Sequence, residues 1–227
     1  MKKHIVCLGD SNTHGYSADP TDTADGLIRF NEDERWTCLL KKLLGDEYLV
    51  LEEGLGGRTT VFSDPLHDAM DAYSVIPAIL MSHRPVDLLV IMLGTNDSKE
   101  RFNASSKVIA AGLDRLIKKA KSIECWSNET PNILVVAPPP IRDEFKETFD
   151  NEWMGSDCVK KTKGLAKEYK RVALDNNARF IDANGCEFNK IDCMHLTRKG
   201  HSELAALLAP AIIEATKNST CADDLSY

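Results

Sequence analysis

Four short polar segments, far apart in the chain, contain the residue types that acyl-transfer chemistry needs. They are residues 9–12 (GDSN), 54–60 (GLGGRTT), 94–97 (GTND) and 192–195 (DCMH). The first three follow apolar runs typical of buried strands, and the fourth precedes the last predicted helix. In a parallel sheet with helices on both faces, ligands bind beyond the carboxyl ends of the strands. We therefore expect all four segments to face one crevice.

A hydroxyl, an imidazole and a carboxylate in these segments form a candidate hydrolytic triad. Ser11 lies where a strand turns into a helix, and it can act as a nucleophile if a base removes its proton. His195 is the candidate base. Asp192, three residues earlier, is close enough in a tight turn to accept a hydrogen bond from the imidazole and fix its tautomer. Together the three residues predict an acyl-enzyme mechanism.

The same segments offer donors for the oxyanion that forms when a nucleophile attacks an ester carbonyl. The backbone N–H of Ser11 lies at the start of a predicted helix, where the helix dipole favours negative charge. The second segment offers the backbone N–H of Gly57, and its neighbour Gly56 is an alternative. The third offers the side-chain amide of Asn96. Both glycines also have a simpler interpretation, because glycine permits a positive φ angle.

Each candidate also has a purely structural interpretation. If Ser11 were considered alone, a helix cap would be its favoured interpretation. Asp97 is an alternative to Asp192 as the acid, although we expect Asp97 to stabilise its own loop. His14 is a rival base, but no acid is evidently placed to orient it, so we expect it in the pocket wall and favour His195. The occurrence of all four segments in one chain favours the catalytic interpretation.

Apolar runs alternate with helix-like segments about five times along the chain. The predicted strands are 4–9, 48–54, 86–94, 132–140 and 178–183, and the predicted helices are 35–45, 69–82, 104–122, 157–176 and 197–217. This alternation predicts a three-layer α/β/α domain with a doubly wound sheet of five parallel strands. We expect Val108 and Leu207 among the buried apolar positions of their helices. We expect His201, in the last helix, to face outward or to cap a contact.

The motifs GDSNTHG, GLGGRTT, GTND and DCMH resemble, in order, the four sequence blocks of the SGNH (GDSL-type) hydrolase superfamily. The resemblance covers nearly the whole chain and implies a flavodoxin-like SGNH hydrolase fold. It places the family's nucleophile on Ser11 and its oxyanion glycine and asparagine on Gly57 and Asn96. It places the acid and the base on Asp192 and His195.

Within the superfamily, the stretches GDSNTHGY, RWTCLLKKLL, EEGLGGRTT, IMLGTND and PPP are most similar to the bacterial arylesterase/perhydrolase subgroup. The members of that subgroup are oligomeric, so the resemblance implies a homo-oligomer. One departure is His14, at a position where the subgroup often has Trp. This difference concerns the shape of the acyl pocket and the substrate preference, not the core chemistry.

Two long stretches fit no regular element. Residues 16–34 form a polar loop after the first motif, and residues 138–156 carry several aromatic side chains. Long loops in compact domains are usually lids or binding edges. We therefore expect residues 138–156 to form a lid or a subunit contact that narrows the active-site mouth. The residues that we expect in the substrate pocket are Asp10, Asn12, His14, Trp153 and Met154.

The composition limits the partners and the compartment. The net charge is −7, which disfavours binding to nucleic acid or to an anionic membrane. The first apolar run is too short for a signal peptide. Seven irregularly spaced cysteines favour free thiols and a cytoplasmic protein over a disulfide framework. Cys186, Cys193 and His195 match no structural zinc spacing, and we expect no metal or organic cofactor.

We therefore expect one hydrolase domain over residues 1–217, followed by a mobile tail over residues 218–227. The predicted function is the hydrolysis of small carboxylic esters with short acyl or aryl groups. Deacetylation of a sugar and hydrolysis of an acyl thioester are alternatives that the same residues would support. A catalytically silent domain that binds a small anion at its helix N-termini is less favoured, because the whole hydrolytic set is present.

Overall fold

A five-stranded parallel sheet forms the centre of the computed structural model, which describes residues 1–217. The strands are β1 (Lys3–Gly9), β2 (Tyr48–Gly54), β3 (Leu88–Met92), β4 (Ile133–Ala137) and β5 (Arg179–Asp182). The helices are α1 (Ser11–His14), α2 (Trp36–Leu44), α3 (Ala72–Ser82), α4 (Ser106–Lys121), α5 (Asn151–Met154), α6 (Asp157–Lys163), α7 (Leu165–Asp175) and α8 (Arg198–Lys217). The tail predicted over residues 218–227 lies outside the described residues.

The strand order is β2-β1-β3-β4-β5, with all neighbours parallel. Side chains on successive strand positions enter two different cores. Val6 and Leu8 of β1 contact the core under α3, α4 and α7, whereas Ile5 and Cys7 contact the core under α2 and α8. The predicted doubly wound α/β/α fold is confirmed. Within residues 1–217, no helix combines the length and the apolar character needed to cross a membrane.

The helix predicted over residues 157–176 is interrupted and forms two helices, α6 and α7. Gly164 separates them at a point where the chain passes close to α4. A Cβ atom on Gly164 would lie 2.5 Å from Ser106 Oγ, so only glycine fits there. The Ser106 hydroxyl donates a hydrogen bond of 2.7 Å to the carbonyl of Lys161, in the last turn of α6. Sequence periodicity does not reveal this tertiary contact.

Two positions in the helices differ from the prediction, and a third, His201, does not face outward but caps a contact, the second of its two expected roles. Val108 and Leu207 were expected to be buried but are 50% and 40% exposed. Each lies beside the buried stripe of its helix rather than on it. The stripes include small residues instead, such as Ala110 and Gly112 in α4 and Ala205 and Ala209 in α8. His201 is fully buried, and its Nδ1 accepts a hydrogen bond of 3.2 Å from the backbone N–H of Trp36. Burial lowers the pKa of His201 to about 3, which keeps the ring neutral and able to accept.

The two long loops contain short helical turns. Residues 16–34 include a 3-10 turn at Pro20–Asp22, and residues 138–156 include another at Asp143–Glu147 followed by α5. The second segment has its own small apolar core, which comprises Ile141, Phe145, Met154, Cys158, Val159 and Cys193. Because Cys193 lies in the DCMH motif, this core attaches the segment to the loop that carries the candidate acid and base.

The turn after β1 packs closely against the end of β2. A Cβ atom on Gly54 would lie 2.2 Å from the backbone nitrogen of His14 in α1. Backbone atoms cannot move aside as a flexible side chain can. Gly54 therefore permits α1, and with it the first polar motif, to lie directly beside the second motif.

Replacing Gly54 by alanine should destabilise the fold by about 1–3 kcal/mol, as overpacking of a tight contact usually does. Urea unfolding measures this change. Gly185→Ala is the matched control, since Gly185 is exposed and a Cβ atom there would meet nothing within 4 Å. The control should stay within about 0.5 kcal/mol of the wild type. Equal stability of the Gly54 variant and the control would contradict the packing argument.

Candidate active site

The turn between β1 and α1 presents Ser11 at the first position of a short helix. Asp10 caps this helix, and its Oδ1 accepts a hydrogen bond of 3.0 Å from the backbone N–H of Asn12. The side chain of Asp10 is buried, and burial raises its pKa to about 6, against the opposing effects of the Asn12 N–H and the positive charge of Arg58. Asp10 therefore holds the turn, and Ser11 is left facing outward from it.

Ser11, His195 and Asp192 form a continuous chain of hydrogen bonds. The distance from Ser11 Oγ to His195 Nε2 is 2.7 Å, and the distance from His195 Nδ1 to Asp192 Oδ2 is 2.6 Å. The ring nitrogen that faces the carboxylate carries the proton, which leaves Nε2 free to accept from the hydroxyl. The three residues predicted as a triad are thus brought together in the geometry that the prediction requires.

A tight turn brings Asp192 and His195 together. Cys193, between them, has a φ of 57°, which is uncommon for a residue with a side chain. The second oxygen of Asp192, Oδ1, accepts from the backbone N–H groups of Met194 and His195, both at 3.0 Å, and from Asn189 Nδ2 at 2.8 Å. Burial acts to raise the pKa of Asp192, but the hydrogen bond and charge of His195 and these N–H groups together lower it to about 2.

Asn189 supports the same turn from both sides and was missed by the sequence analysis. Its Nδ2 also donates to the carbonyl of His195 at 2.8 Å, and its Oδ1 accepts from the backbone N–H groups of Ile191 and Asp192. Asn189 is buried. The only signal in the sequence is an Asn three residues before a candidate acid, which is also common in ordinary turns.

Asn12 joins the two halves of the triad. Its Oδ1 accepts from the backbone N–H of Leu196 at 2.9 Å, and its Nδ2 donates to the carbonyl of Met194 at 3.2 Å. These are the two residues on either side of His195. Since Asn12 directly follows Ser11, one buried side chain fixes the distance between the hydroxyl and the imidazole.

The candidate oxyanion donors lie beside Ser11 in the same pocket. Gly57 has a φ of +85°, a conformation that favours glycine, and Asn96 is 8% exposed. Among residues 1–217, no acceptor takes the backbone N–H of Ser11 or Gly57 or the side-chain amide of Asn96. The conformational role and the donor role of Gly57 are therefore compatible. Its positive φ favours glycine, and its backbone N–H is free to donate to an oxyanion.

Asp97 links the second and third motifs, in agreement with its expected structural role. Its Oδ1 accepts from the backbone N–H of Thr60 at 2.9 Å and also from the Thr60 hydroxyl. Asp97 is fully buried, and burial raises its pKa to about 6, against these hydrogen bonds. The contact fixes the loop that carries Gly57 relative to the loop that carries Asn96.

A pocket of about 280 Å³ opens beside Ser11. Eight of its ten lining residues come from the four motif segments: Ser11, Gly56, Gly57, Thr95, Asn96, Asp192, Met194 and His195. The other two, Tyr16 and Asp150, and the motif residues Thr95 and Met194 were not predicted as site residues. The ring of Tyr16 meets the imidazole of His195 edge-on, with 4.6 Å between ring centroids. Tyr16 and Asp150 lie in the two long loops, where sequence spacing does not indicate which way a side chain points.

The five residues that we expected in the substrate pocket are not among those that line it. Asp10 and Asn12 are buried beneath it and hold the loops described above. His14 ends α1, and its carbonyl accepts from Arg29 Nε at 2.9 Å. Met154 is buried in the apolar core of residues 138–156, and Trp153 is 58% exposed. The pocket is instead lined by other residues of the four motif segments and by Tyr16 and Asp150 of the two long loops.

Within the described range, no group of three or more histidine, cysteine or acidic side chains is arranged to hold a metal ion. Cys186, Cys193 and His195, considered as zinc ligands in the sequence, form no such cluster. The six described cysteines are all free. The site is therefore built from a hydroxyl, an imidazole, a carboxylate and N–H donors.

Comparison with known proteins identifies the family of this chain. A model described as the GDSL-like lipase/acylhydrolase family matches residues 7–202, a range that includes all four motifs. The chain belongs to this family, which confirms the resemblance found in the sequence. An acetylxylan esterase of Xylanibacter ruminicola is 24% identical over 230 residues, which cover 92% of this chain. The chain spans 42% of the length of that relative.

Solved structures support the same assignment. A carbohydrate acetylesterase family member from Sinorhizobium meliloti has a TM-score of 0.83 and 31% identity, with 94% of this chain and 99% of that chain covered. The aryl esterase of M. smegmatis has a TM-score of 0.81 and 32% identity at the same coverage. The fold and the arylesterase-like resemblance thus agree with experimentally determined structures.

Replacing Asn12 by alanine should loosen the loop that carries His195. The change removes two hydrogen bonds and leaves the buried N–H of Leu196 without an acceptor, which costs about 1–3 kcal/mol. Urea unfolding should show this loss, and the Leu196 amide should exchange its hydrogen faster. Asn184→Ala, at an exposed position, is the control and should change neither measurement. Unchanged exchange at Leu196 in the Asn12 variant would show that the loop is held by other contacts.

Proposed function

We propose that this chain is a serine esterase that hydrolyses small carboxylic esters through an acyl-enzyme intermediate. The observation that carries the proposal is the unbroken hydrogen-bond chain from Ser11 Oγ through His195 to Asp192. In this proposal Ser11 is the nucleophile, His195 is the general base, and Asp192 orients and stabilises the imidazolium. The names of the relatives, which are esterases, support the same reaction class.

The first half of the reaction forms the acyl-enzyme. Ser11 Oγ attacks the ester carbonyl while His195 Nε2 takes its proton, and the carbonyl oxygen becomes an oxyanion. The backbone N–H groups of Ser11 and Gly57 and the amide of Asn96 stabilise that oxyanion. Each such donor contributes on the order of 10²–10³ to turnover. The tetrahedral intermediate then collapses, and the departing alcohol takes the proton back from His195.

The second half frees the acid. His195 removes a proton from a water molecule, and the resulting hydroxide attacks the acyl carbonyl on Ser11. Collapse of the second tetrahedral intermediate returns the proton to Ser11 Oγ and releases the carboxylic acid. Every proton transfer uses a group of this chain or water. The pocket of about 280 Å³ suits short acyl groups, because its volume lies just below the usual size range of small-molecule sites.

Deacetylation of a carbohydrate is the second candidate, and the names of two relatives favour it. One is an acetylxylan esterase and the other a carbohydrate acetylesterase. Hydrolysis of an acyl thioester by the same residues is a further alternative. Turnover on an acetylated sugar, an acyl-CoA and an aryl acetate, measured with the same preparation, distinguishes the three substrate classes.

We also propose that residues 1–217 form one hydrolase domain of a cytoplasmic protein. The start and the end of this range are in contact, since Lys3 Nζ donates to the carbonyl of Thr216 at 2.8 Å. Helices α2 and α8 share one core with the strands. The free thiols, five of them buried, support a reducing compartment.

The exposed apolar side chains of residues 138–156 support a homo-oligomer. Phe149 is 73% exposed and Trp153 is 58% exposed, and such large apolar side chains on one segment are typical of a contact surface. We propose that this segment packs against another copy of the chain near the pocket mouth.

Light scattering should therefore give a mass of at least twice the 25.2 kDa of the chain. Replacing Phe149 and Trp153 together by serine should lower the mass towards that of the monomer, because the change removes apolar area from the contact. A monomeric wild type would contradict the proposed contact without affecting the proposed chemistry.

Ser11→Ala should abolish ester hydrolysis while the fold remains intact. Loss of a triad nucleophile lowers kcat by about 10⁶ in a well-studied serine protease, and we expect a loss of at least about 10³ on 4-nitrophenyl acetate. A fluorophosphonate should label the wild type once per chain and the variant not at all. Circular dichroism checks that both have the same fold. Wild-type turnover in the variant would disprove the assignment of Ser11.

A further inference from the structure

The pocket contains one carboxylate that the proposed chemistry does not use. Asp150 lines the pocket but lies outside the four motifs, in the segment of residues 138–156. It is half-buried, and no hydrogen bond or ion pair joins its carboxylate to another group within residues 1–217. A carboxylate that faces a pocket without a partner is available to interact with whatever enters the pocket.

No positively charged side chain in the pocket lining balances the charge of Asp150. The residues that line the pocket include no lysine and no arginine. The other carboxylate of the lining, Asp192, is already engaged by His195 and by three further donors. Asp150 is therefore the unpaired charge among the residues that line the pocket.

Asp150 lines the same pocket as the reacting groups and is electrostatically coupled to them. Burial raises the pKa of Asp150, the negative charge of Asp192 raises it further, and His195 lowers it. The charge of Asp150 also contributes, after burial and Asp192, to raising the pKa of Tyr16. Asp150 lines the pocket together with Tyr16, whose ring contacts His195. Because the departing alcohol takes its proton from His195, the alcohol part of a bound ester would lie on this side of the pocket.

The backbone around Asp150 is fixed, so its position over the pocket is defined. Its carbonyl accepts from the N–H groups of Trp153 and Met154, both at 3.0 Å. Arg101 Nη2 donates to the carbonyl of Trp153 at 2.9 Å, and Arg101 also forms an ion pair of 3.2 Å with the buried Asp64. Helix α5 is thus anchored to the loop after β3, which carries Asn96.

We propose that Asp150 selects substrates by charge. Esters whose alcohol part is neutral or positively charged are accepted, and esters with a negative charge beside the ester group are disfavoured. A carboxylate only accepts hydrogen bonds, so it also suits the hydroxyl groups of a neutral polyhydroxy alcohol. This inference rests on the proposed esterase function and adds a specificity-determining residue to it.

Three para-substituted aryl acetates that differ in charge test the proposal. They are 4-acetoxybenzoate (anionic), methyl 4-acetoxybenzoate (neutral) and 4-acetoxy-N,N,N-trimethylanilinium (cationic). The measured quantity is kcat/KM for each ester, expressed relative to the neutral one. Comparing these ratios between two enzymes cancels the different intrinsic reactivities of the esters.

Asp150→Asn should raise the anionic-to-neutral ratio by about tenfold and lower the cationic-to-neutral ratio, because one nearby unit charge has been removed. High salt should reduce the difference between the two enzymes, since it screens partly exposed charges. Glu152→Gln is the matched control: it removes the same charge two residues away, at an exposed position outside the pocket lining. Its ratios should stay within about twofold of the wild type.

The possible failures are distinguishable. If Asp150→Asn hydrolyses the neutral ester but keeps both wild-type ratios, the charge selection is disproved and the esterase proposal stands. If Glu152→Gln changes the ratios equally, the effect comes from the general surface charge, and Asp150 has no specific role. If the anionic-to-neutral ratio of the wild type does not rise with salt, charge selection is again disproved. A wild type that hydrolyses none of the three esters and resists the fluorophosphonate overturns both proposals.

Discussion

The hydrogen bond between Ser11 Oγ and His195 Nε2 is the contact on which the rest of the site depends. It joins residues 184 positions apart, so neither local turn can create it alone. The parallel sheet brings the end of β1 to the edge where the last loop also arrives. Asn12 then fixes the separation by binding both neighbours of His195, and Asp192 fixes the direction of the ring. The sheet, Asn12 and Asp192 together thus determine the distance from Ser11 Oγ to His195 Nε2.

Buried carboxyl groups beneath this contact carry an electrostatic cost. Asp10 and Asp97 both have pKa values raised to about 6 by burial, and the Oδ2 atom of each lacks a hydrogen-bond partner among residues 1–217. Between about pH 4 and 6 the folded state binds more protons at these groups than the unfolded state does, so their contribution to stability falls as the pH rises. Asp192 acts in the opposite sense: its pKa is lowered to about 2, and its contribution is lost as the pH falls towards that value. Such opposed shifts are typical of functional sites, where loop geometry is fixed at the expense of stability.

Sequence patterns predicted the parts of the structure that depend on local order. Alternation of apolar runs gave the sheet and its helices, and motif spacing located Ser11 and His195, because strand ends converge by topology alone. Patterns failed where a distant contact decides the outcome. Gly164 breaks a continuous helical period because Ser106 lies against it, and the direction of the Asp150 side chain depends on how a loop without periodicity folds back over the sheet. Tyr16 and Asp150, the pocket residues from the two long loops, are for this reason the least predictable part of the site.

A crystal structure of the phosphonate adduct tests the central claim most directly, because the adduct imitates the first tetrahedral intermediate. The account predicts a covalent bond from phosphorus to Ser11 Oγ. It also predicts one phosphoryl oxygen within hydrogen-bond distance of the N–H groups of Ser11 and Gly57 and of Asn96 Nδ2, with His195 Nε2 facing the leaving-group side. An adduct on another residue, or a phosphoryl oxygen that points away from all three donors, would contradict it.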